Sequence, residues 1–574
     1  MAWFDLIKST GTEKKEHRLK IRIRRKYEAE DEIPAGILPI PMPDMPVVDA
    51  LTPFLKLWCF LQAIIVSAPT GSGKSTFISK IVNYAKSRNE EVLVLVHRSL
   101  LCSQHKRRLP FLTNSIWKNV HDDLSLKLTS FFKDVNLTIM TYQELWANQN
   151  RLDFSRFKWV VLDEAHFFHS DALFNESADA LLKKIPVWFC RAQRIYMTAT
   201  PGAVLEDIVR VEQQNPIRCS GTRSCSREGC GQILMYDFPN HFSGLHLRYF
   251  RKIQEIVRLV LSHPEDKFLI FVSVREEIAT DLAISYVSAL RAAGIEVAYL
   301  DSTKKNSDVW NKLAEENTFS ARVLVATSVI DAGINILDDS LRHIVLETTN
   351  KTEFIQMIGR KRRKDGEEVN IYVRSAASAT LNYRLQLVNR WIEICNRAFQ
   401  SNSNNPDFPL LMAGWTDKDT NRPYAKLLVP LATGGFYVKP TAYHALLWQQ
   451  GTLNRLIRMG KEYNDDSALP RLVHEWLEDP GGYSEGNWLG YDRLHENRLE
   501  LIQFLEANSH RDLCGAEYDE FRTTLQNHLS ELLVKPHDSN RLLGERALND
   551  RLKDLGIPFF IKKEDGFYKI YIKE

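Results

Sequence analysis

The chain has 574 residues, of which 44% are hydrophobic and 26% are charged, and its formal net charge is +3. Such a length exceeds a single hydrophobic core and indicates about three or four domains of ordinary globular composition. A nearly neutral chain excludes attraction of a polyanion by overall charge, so such a partner requires local basic patches.

The sequence predicts neither a membrane span nor a secretion signal. No apolar run reaches the roughly eighteen residues of a membrane helix, and residues 1–17 lack the apolar core and cleavage site of a signal peptide. The eight cysteines are scattered, and several lie inside apolar runs, which is typical of reduced thiols. We therefore expect a cytoplasmic protein without membrane contact.

The predicted elements begin with an alternating basic segment at residues 12–26. It contains eight Lys/Arg and two Glu, and every second residue from Leu19 to Ile23 is apolar. This period of two predicts a strand with one apolar and one cationic face. The cationic face has two interpretations, phosphate contact or a solvated edge strand, because acidic residues follow at once. Prolines spaced over residues 34–46 then predict an extended connector, so we treat residues 1–49 as one segment.

From about residue 50, short apolar strands alternate with helical stretches. The first group of strands reads IIVSAP, EVLVLVH, LTIMTY, WVVLDEAH and RIYMTAT. After a less regular stretch, the second group reads KFLIFVSV, EVAYLDS, RVLVATS, HIVLET and NIYVRS. This alternation predicts parallel sheets with crossover helices. We therefore expect two tandem α/β domains, at residues 50–235 and 236–378.

A run of small residues follows the first predicted strand. The run consists of Ala68, Pro69, Thr70, Gly71, Ser72, Gly73, Lys74, Ser75 and Thr76. Small residues let backbone N–H groups close around phosphates, with Lys74 placed for the β and γ oxygens and Ser75 for Mg²⁺. The run therefore predicts the phosphate loop of a nucleoside-triphosphate site.

Two adjacent carboxylates, Asp163 and Glu164, follow the apolar strand at residues 159–162. This strand would carry them to the C-terminal edge of a parallel sheet, where ligands bind in such folds. One carboxylate is needed for the metal and the other for the attacking water. Packing explains the pair poorly, because unpaired buried charge is costly.

The less regular stretch contains a possible zinc site. Its residues would be drawn from Cys219, Cys225, Cys230, His241 and His246. Zinc takes four ligands, and its usual ligand pairs are about two to four residues apart, whereas the cysteine gaps here are five and four. Free thiols in a variable loop are therefore the default interpretation, with zinc as the alternative.

Further motifs follow in a fixed order. They are Thr198-Ala199-Thr200, FVSV at residues 271–274, ATSVIDAGIN at residues 326–335, and the run from Gln356 to Arg363. With the phosphate loop and the DEAH sequence at residues 163–166, this ordered set resembles superfamily 2 helicases and translocases of the DExH or DEAH type. The resemblance covers residues 60–370. It implies two tandem RecA-like domains, ATP and Mg²⁺ as cofactors, and DNA or RNA as a partner.

The resemblance also implies roles for the nucleotide-site residues. Lys74, a Mg²⁺ held by Ser75 and Asp163, and a water oriented by Glu164 would support hydrolysis. Arg360 and Arg363 are three apart on a predicted helix, hence on one face, and would be arginine fingers from the second domain. A solvated basic face is the alternative for this run. The residues implied in coupling and nucleotide sensing are His166, Thr198, Thr200, Gln356, Asp331 and Gly333.

Nucleic-acid contacts are implied at the ends of four strands. In this resemblance Arg98, Thr141, Ser273 and Thr327 contact the phosphate backbone without reading sequence. A helix-capping or strand-end role is an equal alternative for Thr141 and Ser273. Between Gly333 and Gln356 only 22 residues remain, which leaves no room for the strand-separating hairpin of several relatives. No adenine-reading glutamine motif precedes the phosphate loop, so ATP is an expectation among nucleotides.

After residue 378 helical patterns predominate, and we expect a helical accessory region at 379–480 and a final subdomain at 481–574. Residues 544–556 predict a helix, and PFFIKK, EDG and FYKIYIKE predict a hairpin after it. Helix and hairpin resemble the end of a winged helix with Lys562, Lys563 and Lys569 on the wing. Such a module could bind duplex or separate strands. The alternative is a hairpin that only packs on the preceding helices.

The resemblance implies an ATP-dependent helicase that advances along one strand, with the polynucleotide across both RecA-like domains and opposite the helical region. A translocase that moves on duplex without separating it is one alternative. A nucleic-acid sensor or assembly subunit that uses ATP as a conformational switch is another.

Overall fold

The computed structural model describes most of the chain. The described residues are 33–58, 62–97, 136–173, 175, 177–213, 233–273, 279–301, 307–327, 335–364, 366–400, 427–430, 436–463, 466–509, 511–532 and 542–572. Several predictions lie outside these residues: the basic strand at 12–26, Arg98, the three cysteines of the possible zinc site (Cys219, Cys225 and Cys230), Asp331 and Gly333.

The first domain contains a seven-stranded parallel sheet with the strand order β1-β7-β2-β6-β5-β3-β4. Its strands are β1 (Ile37–Pro41), β2 (Ala63–Ser67), β3 (Glu91–Val96), β4 (Leu137–Thr141), β5 (Phe157–Leu162), β6 (Gln193–Thr198) and β7 (Ile233–Asp237). Its helices are α1 (Val47–Leu51), α2 (Lys74–Lys86), α3 (Tyr142–Ala147), α4 (Phe167–Ser170), α5 (Ala178–Trp188) and α6 (Gly202–Glu212), with 3₁₀ turns at Thr52–Lys56 and Phe154–Arg156.

The proline-spaced segment departs from its prediction as a connector. Residues Ile37–Pro41 form the edge strand β1, which pairs in parallel with β7. Proline is tolerated there because an edge strand has one side without ladder hydrogen bonds. The first domain therefore begins before residue 50.

Strand β3 illustrates why the sequence forms a sheet buried on both faces. Leu93 and Leu95 pack into the core on one side, and Val92, Val94 and Val96 pack into the core on the other. Successive side chains of a strand point to opposite faces, so a continuous apolar run requires cover on both. The helices of the first domain supply that cover.

The second domain contains a six-stranded parallel sheet with the strand order β10-β11-β9-β12-β13-β8. Its strands are β8 (Leu245–Phe250), β9 (Lys267–Val272), β10 (Val297–Leu300), β11 (Val323–Ala326), β12 (Leu341–Glu347) and β13 (Val369–Arg374). Its helices are α7 (Ile253–Ser262), α8 (Ala279–Ala292), α9 (Asp308–Glu315) and α10 (Lys351–Ile358). The predicted pair of tandem RecA-like domains is confirmed.

A helical region follows β13 directly and is confirmed as predicted. Its elements are α11 (Ser378–Gln400), β14 (Leu428–Pro430), β15 (Phe436–Val438), α12 (Pro440–Tyr463), α13 (Ala468–Trp476) and a 3₁₀ turn at Glu485–Asn487. One buried core joins a face of the second sheet, through residues such as Leu346 and Ile371, to Cys395, Leu446 and Leu472 of these helices. Helix α12 also contacts α4, α5 and α6 of the first domain.

The last module has its own core. Its elements are α14 (Tyr491–Asn508), α15 (Gly515–Leu532), α16 (Glu545–Asp554), β16 (Phe559–Glu564) and β17 (Phe567–Ile572). Strands β16 and β17 form an antiparallel hairpin, and Leu513 bridges to Tyr568 as a third, minimal strand. The order helix, strand, helix, helix, hairpin is compatible with the predicted resemblance to a winged helix. The inner hairpin residues Phe559, Ile561 and Ile570 pack on the three helices.

Two absences hold for the described residues only. No helix among them is long and apolar enough to cross a membrane. The cysteines within the described ranges, Cys190, Cys395 and Cys514, are free thiols. No group of three or more His, Cys, Asp or Glu side chains in those ranges could hold a metal ion.

Candidate nucleotide site between the two domains

The phosphate loop connects the buried strand β2 to helix α2, which begins at Lys74. The backbone at Gly71 has φ +89°, a conformation that side chains disfavour, and a Cβ there would lie 3.1 Å from Arg362 Nη1. The first turn of α2 presents unsatisfied N–H groups, which favour an anion such as a phosphate. The loop therefore runs from the end of a buried strand to a helix N-terminus, and its function as a phosphate loop stays a prediction.

Lys74 is buried at the mouth of this loop. Its Nζ donates to the carbonyl oxygens of Ala68 at 2.7 Å and Pro69 at 3.3 Å. Burial lowers the pKa of Lys74, and the nearby positive charges of Arg362 and Arg360 lower it further, against the opposing carboxylates. A site with three cations this close favours an anionic ligand.

The carboxylate pair follows β5 at the C-terminal edge of the sheet. Asp163 is buried, and its carbonyl oxygen accepts a hydrogen bond from Tyr142 Oη at 2.9 Å. Glu164 has φ +53°, a conformation that costs free energy for a residue other than glycine and that is often kept at functional sites. Burial alone would raise the pKa of Glu164, but its contact with His166 and the charges of Lys74 and Arg360 lower it. Glu164 is therefore ionised at neutral pH.

A polar chain connects Glu164 to the third motif. His166 Nδ1 lies 3.4 Å from Glu164 Oε2 and 3.5 Å from Thr198 Oγ1. Thr198 Oγ1 also accepts a hydrogen bond from the N–H of Thr200 at 3.1 Å. The Thr198 carbonyl oxygen accepts from the N–H of Ala68 at 3.0 Å. The structure thus brings the phosphate loop, the DEAH sequence and the third motif into one connected site.

The second domain approaches the phosphate loop through the end of helix α10. A Cβ at Gly359 would lie only 2.1 Å from Thr70 Oγ1, so this close approach requires glycine. Arg360 is almost completely buried, and its guanidinium hydrogen-bonds to the carbonyl and side-chain oxygens of Gln356. Because Arg360 lowers the pKa of Glu164 and of Lys74, its charge acts within the same site.

The predicted helix through Arg360 and Arg363 is wrong. Helix α10 ends at Ile358, and Lys361 forms a parallel bridge with Ile336. In such an extended segment alternate side chains share a side, so Arg360 and Arg362 point together and Arg363 points away. The guanidinium of Arg363 hydrogen-bonds to the carbonyl oxygens of Ser243 and His241 instead of approaching the phosphate loop.

Arg362 was missed by sequence reasoning. Its Nε donates to Asn335 Oδ1 at 2.6 Å, and its Nη1 lies beside Gly71 of the phosphate loop. In a helix, residues three apart share a face, which pointed to Arg360 and Arg363. In an extended backbone, residues two apart share a side, which pairs Arg360 with Arg362 instead. No local signal in the sequence distinguishes the two, because the bridge to Ile336 is a tertiary contact.

Three of the four implied nucleic-acid residues are described, and they lie at the ends of their strands. Thr141, Ser273 and Thr327 follow or end β4, β9 and β11, and all three are buried. Thr141 forms a capping box with Glu144, whose N–H donates to Thr141 Oγ1 at 3.1 Å and whose carboxylate accepts from the N–H of Thr141 at 2.6 Å. Thr141 therefore caps helix α3 in this structure, which is the alternative to a nucleic-acid contact. The N–H of Ser273 donates to the carbonyl oxygen of Glu347 at 3.1 Å.

A cleft of about 410 Å³ lies beside this site, between both domains and the helical region. His166 and Thr200 line it from the first domain and Ser273 from the second. Trp391 of α11 and Trp448 of α12 line it from the helical region. His166 therefore faces the cleft and contacts Glu164 at the same time.

The fold and this site together define the class of tandem RecA-like P-loop proteins, in which one domain carries the phosphate loop and a second supplies arginines. Family models identify the group more closely. The DEAD/DEAH box helicase model matches residues 55–208, and the helicase conserved C-terminal domain model matches residues 251–365. These two matched segments are the two domains of superfamily 2 helicases, which confirms the predicted resemblance over both RecA-like domains. The two matches do not separate the DEAD and DEAH subtypes.

Solved helicase structures also match part of the chain. Saccharomyces cerevisiae Dbp5 bound to RNA and ADP BeF3 is 17% identical, with a TM-score of 0.39, and the match covers 54% of this chain and 79% of that chain. Mycobacterium smegmatis helicase Lhr bound to ssDNA and AMP-PNP is 16% identical, with a TM-score of 0.40, and the match covers 70% of this chain and 59% of that chain. No curated protein matches this chain in sequence.

Proposed function

We propose that the protein is an ATP-dependent helicase that couples ATP hydrolysis to movement along DNA or RNA and to strand separation. One observation carries this proposal: Lys74 and Glu164 of the first domain face Arg360 and Arg362 of the second across one site. A site divided between two domains is complete only when they close. Hydrolysis removes the phosphate held by both, so each cycle would open and close the cleft.

The donor set fits ATP with Mg²⁺. The Ser75 hydroxyl and the Asp163 carboxylate would supply oxygen ligands, which Mg²⁺ prefers; Ser75 lies in the first turn of α2, and Asp163 is close enough to raise the pKa of Lys74. Bound Mg²⁺ would neutralise charge on the β- and γ-phosphate oxygens. Lys74 would hold the same phosphates, and the amides of the loop would orient them.

Glu164 would orient the attacking water and accept its proton. Its lowered pKa keeps the carboxylate ionised, and a carboxylate with a depressed pKa remains in this form as the pH falls past the usual range for glutamate. His166 would orient the Glu164 carboxylate through the 3.4 Å contact between His166 Nδ1 and Glu164 Oε2. Arg360 and Arg362 would stabilise negative charge that develops on the γ-phosphate, whereas the position of Arg363 supports a structural role.

The cleft supports a polynucleotide as the partner. Its aromatic side chains, Tyr383, Trp391 and Trp448, offer stacking surfaces for unpaired bases, and Arg384 adds a positive charge. Thr200 and Ser273 would face the sugar-phosphate backbone from the two domains. A polynucleotide bound in this cleft would affect the nucleotide site through His166, because His166 lines the cleft and also contacts Glu164.

The wing is weaker as a duplex-binding site than its three lysines predict. Residues 491–574 contain 13 Lys/Arg and 16 Asp/Glu, a net charge of 13 − 16 = −3. Lys562 pairs with Glu564 at 2.6 Å, and Lys569 pairs with Asp512 at 3.5 Å. A module without positive excess attracts phosphates poorly. Strand separation by this module therefore remains a secondary proposal.

Two measurements test the function. ATPase rates with single-stranded and duplex DNA and RNA would identify the track, and we expect at least one to stimulate turnover. Strand displacement on partial duplexes would then separate a helicase from a translocase. Stimulation without displacement would favour the translocase, and ATP-dependent binding without stimulated turnover would favour the sensor or assembly subunit.

A further inference from the structure

A buried carboxylate connects the first domain to the helical region. Asp207 on α6 is completely buried, and its Oδ1 lies 2.9 Å from Nδ1 of His444 on α12 and 3.0 Å from Nη2 of Arg210. Its Oδ2 lies 4.0 Å from Nδ1 of His169 on α4. Burial alone would raise the pKa of Asp207, but His444, His169 and Arg210 lower it, so the carboxylate is ionised. We call His169, Asp207 and His444 the Asp207 joint.

The elements that meet at this joint are adjacent to the nucleotide site in sequence. Helix α4 begins directly after His166, and α6 begins two residues after Thr200. The segments that carry His166 and Thr200 thus extend into α4, which carries His169, and into α6, which carries Asp207 itself. The ionised Asp207 carboxylate pairs with Arg210 and also faces His444 and His169, and such a buried charge is weak evidence for added stability.

Helix α12 is hydrogen-bonded both to the first domain and to helix α11, which follows the second domain. Asp179 of the first domain accepts hydrogen bonds from Tyr437 Oη at 3.0 Å and from the N–H of Thr441 at 3.4 Å, at the start of α12. A carboxylate at this end of a helix is favourable. Farther along α12, Gln450 Nε2 donates to Asn389 Oδ1 of α11 at 2.6 Å, and α11 continues from the second sheet.

The same helix lines the cleft. Trp448, four residues after His444, lies on the cleft wall with Gln449 and Thr452, and its ring is 6.5 Å from that of His169. A ligand that displaces Trp448 would therefore move a side chain one helical turn from His444. We propose that the Asp207 joint couples polynucleotide in the cleft to ATP hydrolysis, with Asp207 and His444 as positioning residues. This inference rests on the proposed function.

The test compares basal and polynucleotide-stimulated ATPase rates in the full chain. In His444→Ala the ratio of stimulated to basal rate should fall roughly fivefold or more, since coupling between sites is commonly of that size. The basal rate should stay within about twofold, because His444 does not contact the phosphate loop. His444→Asn, whose amide can occupy the Nδ1 position, should restore at least half of the ratio. Gln450→Ala, on the same helix but directed to α11, is the matched control.

The losses from Asp207→Asn and His444→Ala should be less than additive in the double variant, because the two changes share the Asp207–His444 contact, although Asp207→Asn also weakens the contacts with Arg210 and His169. The proposed coupling role of the Asp207 joint would be wrong if His444→Ala left the ratio of stimulated to basal rate unchanged. It would also be wrong if both rates fell equally and His444→Asn did not restore them. Absence of stimulation in the unsubstituted protein would overturn the proposed function and the joint together. Stimulation that persists in every variant would overturn the joint alone.

Discussion

The two RecA-like domains are alike in architecture but contribute differently to the nucleotide site. The first offers a loop, a helix N-terminus, a lysine and two carboxylates, all fixed by its own backbone. The second offers arginines on a segment that reaches the phosphate loop, where Arg362 Nη1 lies beside Gly71. In the proposed mechanism, the groups that bind the nucleotide belong to the first domain and the groups that stabilise charge on the phosphate belong to the second. Affinity for nucleotide and rate of hydrolysis should therefore respond to different substitutions.

Substitutions in the first domain should have the largest effects. We expect Lys74→Ala to abolish turnover and to weaken ATP binding, since it removes a phosphate contact. Glu164→Gln should lower turnover on the order of 10³-fold while ATP binding persists, because Asp163 is intact. Single-turnover hydrolysis and fluorescent-nucleotide binding would measure both. Substantial residual hydrolysis in Glu164→Gln would contradict its role toward water.

The arginines of the second domain sharpen the comparison. Arg362→Ala should lower turnover roughly 100-fold with nucleotide affinity changed by only a few-fold, because its charge acts on the γ-phosphate at closure. Arg363→Ala is the matched control, one residue away and bound to the carbonyl oxygens of His241 and Ser243. A larger loss of turnover in Arg363→Ala than in Arg362→Ala would show that Arg363, and not Arg362, is the arginine finger.

Closure itself can be disturbed without removing a charge. In Gly359→Ala the new methyl group would meet Thr70 Oγ1 at 2.1 Å, so the domains must separate slightly. We expect turnover to fall roughly tenfold, with ATP binding to the first domain retained. Gly481→Ala is the control, since no atom lies within 4 Å of its Cβ position. Equal turnover in the two variants would show that the close approach is not needed.

The smallest effect concerns Thr141, where capping and nucleic-acid contact make different predictions. Thr141→Ala removes the capping box, and we expect a loss of about 1 kcal/mol in the free energy of unfolding. Thr141→Ser keeps the accepting hydroxyl and should lose little. Denaturant unfolding would measure stability, and a binding titration would measure nucleic-acid affinity. A reduced affinity in Thr141→Ala at unchanged stability would support the contact with the phosphate backbone instead.

Local patterns predicted most of the fold and half of the candidate site. Strands such as β3 and β5 were predictable because apolar runs between turn-forming residues reflect burial on both faces. The phosphate loop and the Asp163-Glu164 pair were predictable because their chemistry is contiguous in sequence. The edge strand at residues 37–41 was not, since its pairing with β7 joins segments almost 200 residues apart.

The sequence by itself determined the two parallel sheets and the resemblance to superfamily 2 helicases, and it predicted the residues that are proposed to hold a triphosphate. The tertiary structure alone decided which arginine faces the loop, because a single bridge between Lys361 and Ile336 replaces a helical period by an extended one. It also decided that Asp207 and His444, 237 positions apart, share one buried contact. Such pairs depend on which surfaces of separate elements meet, and no short-range pattern encodes that meeting.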